Sequence, residues 1–581
     1  MSSPPLLDVR NVNALWAGVL AETLARCGVR HAVISPGSRS APLTFAFAAH
    51  PEIEAIPVLD ERSAAFFALG LAKQRQQPVA LVCTSGTAGA NYFPAVIEAY
   101  ESGVPLIVLT ADRPPEMRAC ASGQTIDQQK LFGSHVGFQH ELALPELNSA
   151  RFSYLRQTVA HAVEHSLIPV AGPVHLNVPF RDPLPPVADD GATATFAATV
   201  DWERFFGHLN LVSPIAIFTP PPAITAEVHG AIVVGPVQPG DESAFVAAVA
   251  EIARRLRWPV LTDGLSPLRH HAAQVPNMIT TYDVILRNEA AAERLKPEVV
   301  LCLGAWPTSK VLRAWIESSG ATVWLVSERP DNRDSLHGLT RRVPVSLSLL
   351  APMLPQAMDE NGYQRMWARY EQKVRPALAE KLRAEQSFFE PKAAWLLAGH
   401  LPPGTLVFIA NSMPVRDAEY TWPATDRGLR PFCNRGANGI DGTLSSALGT
   451  AHGADQPAVL LTGDLALLHD TNGFLLKSRF RGSLTIILIN NRGGGIFEHL
   501  PVAQFEPPFE DYFATPQEAD FAKLGAAYGV EHTMVRDWPH FVALIATLPA
   551  AGIRVLEVRT DRKRDAAARK ALFAELAAGL G

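Results

Sequence analysis

The chain has 581 residues, 48% of them hydrophobic, with a formal net charge of -6 and a pI near 6.3. At about 150 residues per domain the length allows three or four domains, and the acidic balance excludes a general surface for nucleic acid or anionic lipid. Five scattered cysteines, Cys27, Cys83, Cys120, Cys302 and Cys433, lack CxxC spacing and point to neither a zinc site nor a disulfide framework.

The first twenty residues lack a basic stretch followed by an apolar core, and no run of roughly 18 apolar residues occurs. A cytoplasmic protein without membrane insertion is expected. From Asn11 to about Pro183, short apolar runs alternate with helical stretches. His31 to Ile34, Ala55 to Leu59, Val79 to Cys83, Pro105 to Leu109 and Val174 to Val178 read as buried strands, with helices such as Ser63 to Lys73 and Ala88 to Glu101 between them. Such alternation predicts a parallel sheet with helices on both faces.

A proline-rich linker over 186–226, with TPPPA at Thr219 to Ala223, separates this first block (1–185) from a central α/β block (227–355). The central strands read as Ala231 to Val234, Pro259 to Thr262, Val299 to Leu303 and Thr322 to Val326. A nucleotide or flavin site is conceivable there, but no GxGxxG is present, which favours a structural domain. A charged helical connection (356–392) leads to the last block (393–581). Its strands read as Thr405 to Ala410, Ala458 to Leu461, Leu484 to Ile489 and Arg554 to Val558, and the tail from Arg562 to Leu580 reads as a solvated amphipathic helix. The fold class expected is α/β, with three doubly wound domains of mostly parallel sheets.

Within the last block, Thr462 to Phe497 reads as strand, helix, strand. The crossover makes the strands parallel, so Asp464 and Asn491 both fall at carboxyl ends, where open α/β sheets bind ligands. A carboxylate, an amide oxygen and a backbone carbonyl, most plausibly that of Gly493, form an oxygen donor set for a hard cation such as Mg²⁺, with phosphates completing the shell. The glycine run Gly493 to Gly495 admits a diphosphate close to the main chain.

In the first block, Glu61 stands at a predicted helix start, where an acid satisfies the helix dipole. Thr84-Ser85-Gly86-Thr87 follows a strand and opens a helix with small residues. Four arginines, Arg39, Arg113, Arg416 and Arg435, follow predicted strand ends. Together they suggest a pocket for a multiply anionic substrate, because guanidinium forks bind carboxylates bidentately.

Glu61, the TSGTAGAN loop and the Asp464/Asn491 pair together resemble the thiamine-diphosphate decarboxylase and acetolactate synthase superfamily. The ordered series SPGSRSAPL, DERSAAFFALGLAK, TSGTAGAN, TADRPPE, NSMPVRD, NRGANGIDG, TGDLALLHDTNG and NNRGGGIF resembles one branch, the 2-succinyl-5-enolpyruvyl-6-hydroxy-3-cyclohexene-1-carboxylate synthases. The superfamily motif usually reads Gly-Asp-Gly, and the Gly-Asp-Leu form of this branch accounts for Leu465.

The resemblance implies decarboxylation of 2-oxoglutarate on thiamine diphosphate and Stetter-like addition to isochorismate, in menaquinone or phylloquinone synthesis. It implies that Glu61 activates the cofactor and that Asp464, Asn491 and Gly493 hold Mg²⁺ or Mn²⁺. Substrate contacts would come from Ser38, Arg39, Arg113, Gln124, Lys310, Ser412, Arg416 and Arg435. The cofactor would meet Glu61, Thr84, Gly86, Ile440, Gly463, Asp464, Leu465, Asn491, Ile496 and Phe497, with Leu500 packing nearby. Where the family can carry a second basic residue after the lysine, this chain has Val311. The superfamily further implies a homodimer or homotetramer, with Glu61 and Asp464 of each active site drawn from different subunits. The alternatives are a carboligase of acetolactate-synthase type acting on pyruvate and a non-catalytic cofactor-binding paralogue.

Overall fold

A computed structural model describes residues 7–207, 209, 228–329, 331–358 and 362–580. The TPPPA part of the linker lies outside them. The strands pair in parallel throughout and form three six-stranded sheets.

The first sheet holds β1 (His31–Ile34), β2 (Glu54–Pro57), β3 (Val79–Cys83), β4 (Leu106–Asp112), β5 (Phe138–Glu141) and β6 (Pro173–Pro179), in the order β2-β1-β3-β4-β6-β5. The second holds β7 (Gly230–Val234), β8 (Val260–Thr262), β9 (Met278–Ile279), β10 (Val299–Leu303), β11 (Thr322–Val326) and β12 (Leu339–Val343), in the order β12-β11-β10-β7-β8-β9. The third holds β13 (Leu406–Ile409), β14 (Arg430–Phe432), β15 (Ala458–Gly463), β16 (Ser483–Asn490), β17 (Glu531–Met534) and β18 (Gly552–Arg559), in the order β14-β13-β15-β16-β18-β17. The first and third sheets therefore share one winding.

The interior strands are those with continuous apolar runs. Every residue of β3, β4, β6 and β16 is buried, as parallel strands covered on both faces require. The strands that the apolar pattern does not reveal are β5, β9, β12, β14 and β17, and all five lie at sheet edges. An edge strand is covered less completely, so sequences such as FQHE and EHTM suffice there.

Two expectations about helices are corrected. The helix expected over Ala88 to Glu101 is two helices, Thr87–Asn91 and Phe93–Ser102. Pro94 opens the second and cannot donate a backbone hydrogen bond within a continuous helix. The C-terminal helix, Arg562–Ala578, is not wholly solvated: Asp565, Arg569, Phe573 and Leu576 are buried at helical spacing. Phe573 and Leu576 join the core on one face of the second sheet.

The described residues gather into two compact units. One contains the first sheet together with Asn434–His452 and Asp470–Arg481, and the other contains the second and third sheets.

Candidate active site

In the first sheet the chain reverses its winding between β1 and β3, and a crevice at such a switch point is where α/β sheets take ligands. The loops after these two strands touch. A Cβ on Gly37 would lie 2.2 Å from Thr84 Cβ. Arg39 donates its backbone N–H to Thr84 Oγ1 at 3.3 Å and its Nη1 to the Phe180 carbonyl at 3.0 Å, and pairs with Asp182 at 3.9 Å. Its Nε is buried without a partner among the described residues. Burial, and then the neighbouring Arg113, hold this guanidinium below the usual arginine range.

Arg113, after β4, donates Nη1 to Ser85 Oγ at 2.5 Å and to the Gln124 carbonyl at 3.0 Å. Gln124 has a φ of 56° and donates Nε2 to the Ser85 carbonyl at 3.0 Å. Gly86 has a φ of 88°, and a Cβ there would stand 2.9 Å from Gln124 Cγ. Arg39, Thr84, Gly86, Arg113 and Gln124 thus form one cluster, with Ser38 exposed beside it. Two guanidiniums at one crevice can together attract an anion.

Glu61 is the first residue of the helix Glu61–Arg75. Asp60 caps that helix by accepting the Ser63 N–H at 3.2 Å, and its other oxygen accepts Asn472 Nδ2 at 2.6 Å. The Glu61 side chain is partly buried and makes no hydrogen bond among the described residues. Beneath it, burial holds the Cys83 thiol and the Tyr92 hydroxyl protonated, and the charge of Glu61 adds to the effect.

Arg435 and Ile440 lie on a loop of the same unit. Buried Glu98 accepts the Gly436 and Ala437 N–H groups at 2.9 and 2.6 Å and pairs with Lys73 at 3.4 Å. Lys73 also donates to Asn434 Oδ1 at 2.8 Å. Asp60, Lys73 and Asn472 lie within the quoted motifs and Glu98 outside them, but none of the four was singled out, because the bonds to Asn434, Gly436 and between Asp60 and Asn472 join residues hundreds of positions apart.

The third sheet reverses its winding between β13 and β15. After β13, Ser412 has a φ of 72° and its carbonyl accepts Arg416 Nη1 at 2.5 Å. Gly463 ends β15, and Asp464 begins the short helix Asp464–His469, with Leu465 partly buried behind it. Asp464 accepts the Leu465 N–H and the Gly493 N–H, each at 2.8 Å. Burial nevertheless pushes its carboxyl up to about 6.

Asn491 follows β16 and is 8% exposed. Its Nδ2 donates to Glu390 Oε1 at 2.6 Å, while its Oδ1 is buried without a partner among the described residues. Gly493, with a φ of 135°, sits where a Cβ would be 2.4 Å from the Ala514 carbonyl oxygen. Ile496 and Phe497 lie in the turn Gly495–His499 that Leu500 closes, and the Phe497 ring meets Phe513 edge-on at 5.9 Å.

Asp464, the orphaned Asn491 Oδ1 and the Gly493 carbonyl fit a hard divalent cation. Among the described residues no group of three or more His, Cys, Asp or Glu is placed to hold a metal ion.

Lys310 opens the helix Lys310–Ser319 on the second sheet. Its side chain is exposed and makes no hydrogen bond or ion pair among the described residues. The switch point of that sheet, between β7 and β10, is filled by its own backbone: a Cβ on Gly235 would be 1.7 Å from the Ala305 carbonyl oxygen. This packing favours the structural reading of the central block.

Residues 16–132 match the family described as thiamine pyrophosphate enzyme, N-terminal TPP binding domain. Residues 223–409 match the middle domain of thiamine pyrophosphate, and 423–573 the C-terminal TPP binding domain. A 2-succinyl-5-enolpyruvyl-6-hydroxy-3-cyclohexene-1-carboxylate synthase of Microcystis aeruginosa is 52% identical over 557 residues, covering 96% of this chain and 98% of that one. A synthase of the same name from a Nostoc species is 51% identical over 578 residues, covering 98% of each. The crystal structure of benzoylformate decarboxylase from Polynucleobacter necessarius superposes with a TM-score of 0.66 at 16% identity, over 94% of this chain and 98% of that one, a likeness of fold.

Proposed function

Because the chain belongs to the thiamine-diphosphate-dependent family of 2-succinyl-5-enolpyruvyl-6-hydroxy-3-cyclohexene-1-carboxylate synthases, we propose that it decarboxylates 2-oxoglutarate and adds the resulting succinyl semialdehyde unit to isochorismate by 1,4-addition. The product enters menaquinone or phylloquinone synthesis. Thiamine diphosphate, when bound, supplies the electron sink that stabilises an acyl carbanion equivalent.

The observation that carries the substrate reading is the Arg39–Arg113 cluster, with a buried Arg39 Nε that lacks a partner. 2-Oxoglutarate has a distal carboxylate and isochorismate is itself multiply anionic, whereas pyruvate would leave these cations unmatched. Gln124, Ser38, Ser412, Arg416, Arg435 and Lys310 complete the proposed substrate contacts. Lys310 stands exposed beside Val311.

Glu61 would hydrogen-bond the aminopyrimidine, and its carboxyl has no competing hydrogen bond among the described residues. Asp464, Asn491 and the Gly493 carbonyl would hold Mg²⁺ or Mn²⁺ against the diphosphate, next to Gly463. Thr84 and Gly86 allow close approach of the cofactor, and Leu465, Ile440, Ile496, Phe497 and Leu500 would pack it and keep water out.

In this reading the first block, 1–185, binds the pyrimidine and 393–581 the diphosphate, in a homodimer or homotetramer whose active sites take Glu61 and Asp464 from different chains. Among the described residues no helix is long and apolar enough to cross a membrane. A cytoplasmic location is supported by five cysteines that form no disulfide.

The test is purified protein with thiamine diphosphate, Mg²⁺, 2-oxoglutarate and isochorismate, following loss of isochorismate absorbance and the product mass. Turnover that needs all four components supports the proposal. Turnover with pyruvate replacing 2-oxoglutarate would establish the acetolactate-synthase-type alternative, and cofactor binding without any decarboxylation a non-catalytic paralogue.

A further inference from the structure

We propose that Glu390, clamped by Arg569 of the C-terminal helix, is a positioning residue that aims the amide oxygen of Asn491 at the metal. The inference rests on the reading of Asn491 as a metal ligand.

An asparagine amide presents a donor and an acceptor of nearly equal shape, so a site that needs the oxygen must pin the nitrogen. Glu390 Oε1 lies 2.6 Å from Asn491 Nδ2. A carboxylate only accepts, so the reversed amide would set two acceptors against each other. The Asn491 oxygen must then face away from Glu390, and it is buried with no partner. An unsatisfied buried acceptor is costly unless something absent from the free protein satisfies it. Gly495 packs against the same nitrogen: a Cβ there would stand 2.7 Å from Asn491 Nδ2.

Glu390 is itself fixed at both carboxylate oxygens and at its backbone N–H. Oε1 also accepts the Thr560 hydroxyl at 3.3 Å, Oε2 pairs with Arg569 Nη2 at 3.2 Å, and the backbone N–H donates to Asp565 Oδ2 at 3.0 Å. Arg569 is held in turn by Asp417 at 2.8 Å and by His499 Nε2 at 2.9 Å. Glu390, Asp417 and Arg569 are all at least nine-tenths buried. A chain of rigid contacts therefore runs from the C-terminal helix to one donor of the proposed metal site. Partners of this kind typically contribute ~10–100-fold in metal affinity.

The experiment titrates Mn²⁺ into the full-length protein saturated with thiamine diphosphate, following loss of the free-ion EPR signal, with circular dichroism as the check on folding. Glu390→Leu is expected to weaken Mn²⁺ binding by ~10–100-fold. Glu390→Gln, which keeps an acceptor oxygen, is expected to restore most of that affinity. Should the leucine variant fail to fold, Glu390→Asp keeps the charge but falls one methylene short of the amide, and is expected to lose affinity. Wild-type Mn²⁺ affinity in a folded Leu or Asp variant would overturn the proposal, as would a glutamine variant as weak as leucine. Asn491→Ala separates the two readings: if it binds Mn²⁺ like wild type, the ligand assignment itself fails, whereas loss in Asn491→Ala with none at Glu390 leaves that assignment standing and removes only the positioning role.

Discussion

At the scale of single residues, the site is assembled from groups whose ordinary roles are bland. Glu61 is a helix-start acid, Asp464 a post-strand turn residue and Asn491 a loop amide; only their order along the chain makes them specific. The local surroundings then supply what identity alone does not, such as the absence, among the described residues, of competing hydrogen bonds at Glu61 and of a partner for the Asn491 oxygen. Glu61→Gln, which keeps the shape but not the acid, is expected to lower turnover by roughly 10²–10⁴-fold while thiamine diphosphate still binds, measured by steady-state kinetics and calorimetry. A second expectation concerns His175, which burial holds down at about 4 against an ordinary value of 6.5. The native state resists the proton that the unfolded chain accepts, so stability is lost as pH falls from 6.5 toward about 4. That loss approaches about 1.4 kcal/mol per pH unit for one histidine, and the unfolding free energy of His175→Gln from urea titrations should fall less steeply with acid than that of wild type by about that slope.

At the scale of elements, the helix Glu61–Arg75 crosses the helix Thr443–Ala451 at a pair of glycines. A Cβ at Gly70 would meet the Ser446 carbonyl oxygen at 2.0 Å, and one at Gly449 the Phe67 carbonyl oxygen at 2.0 Å. The obstacle is backbone, which cannot rotate aside. Gly449→Ala is therefore expected to force the helices apart and lower stability by about 1–3 kcal/mol, read as a shift in the urea midpoint. Activity should fall with it, because the same helix carries Glu61 at its start. The crossing was not visible in sequence, since glycine inside a helix reads only as a weak position. Interior strands such as β16 were legible because burial on both faces demands a continuous apolar run. The five missed strands sit at edges where that demand is relaxed, and the break before Pro94 and the buried face of the C-terminal helix depended on packing partners far along the chain.

At the scale of the whole molecule, the proposed sharing of active sites between subunits has a direct test. Chains carrying Glu61→Gln and chains carrying Asp464→Ala should each be inactive alone. When the two are assembled together, random pairing leaves one intact site in each mixed dimer, and about a quarter of native activity is expected to return. No recovery in a mixture shown by native mass spectrometry to contain mixed dimers would place both residues of a site in one chain. The sequence by itself determined the α/β class and the three sheets in order, and it nominated the candidate chemistry-bearing residues, because strand burial and ligand contacts each demand particular residue types at local spacing. Only the tertiary structure decided that the first and third sheets share one winding, that Asn434–His452 and Asp470–Arg481 belong with the first unit, and that Glu390 and Arg569 stand behind Asn491. Those facts rest on hydrogen bonds and close approaches between residues distant in the chain, and neither periodicity nor motif spacing carries information about such pairs.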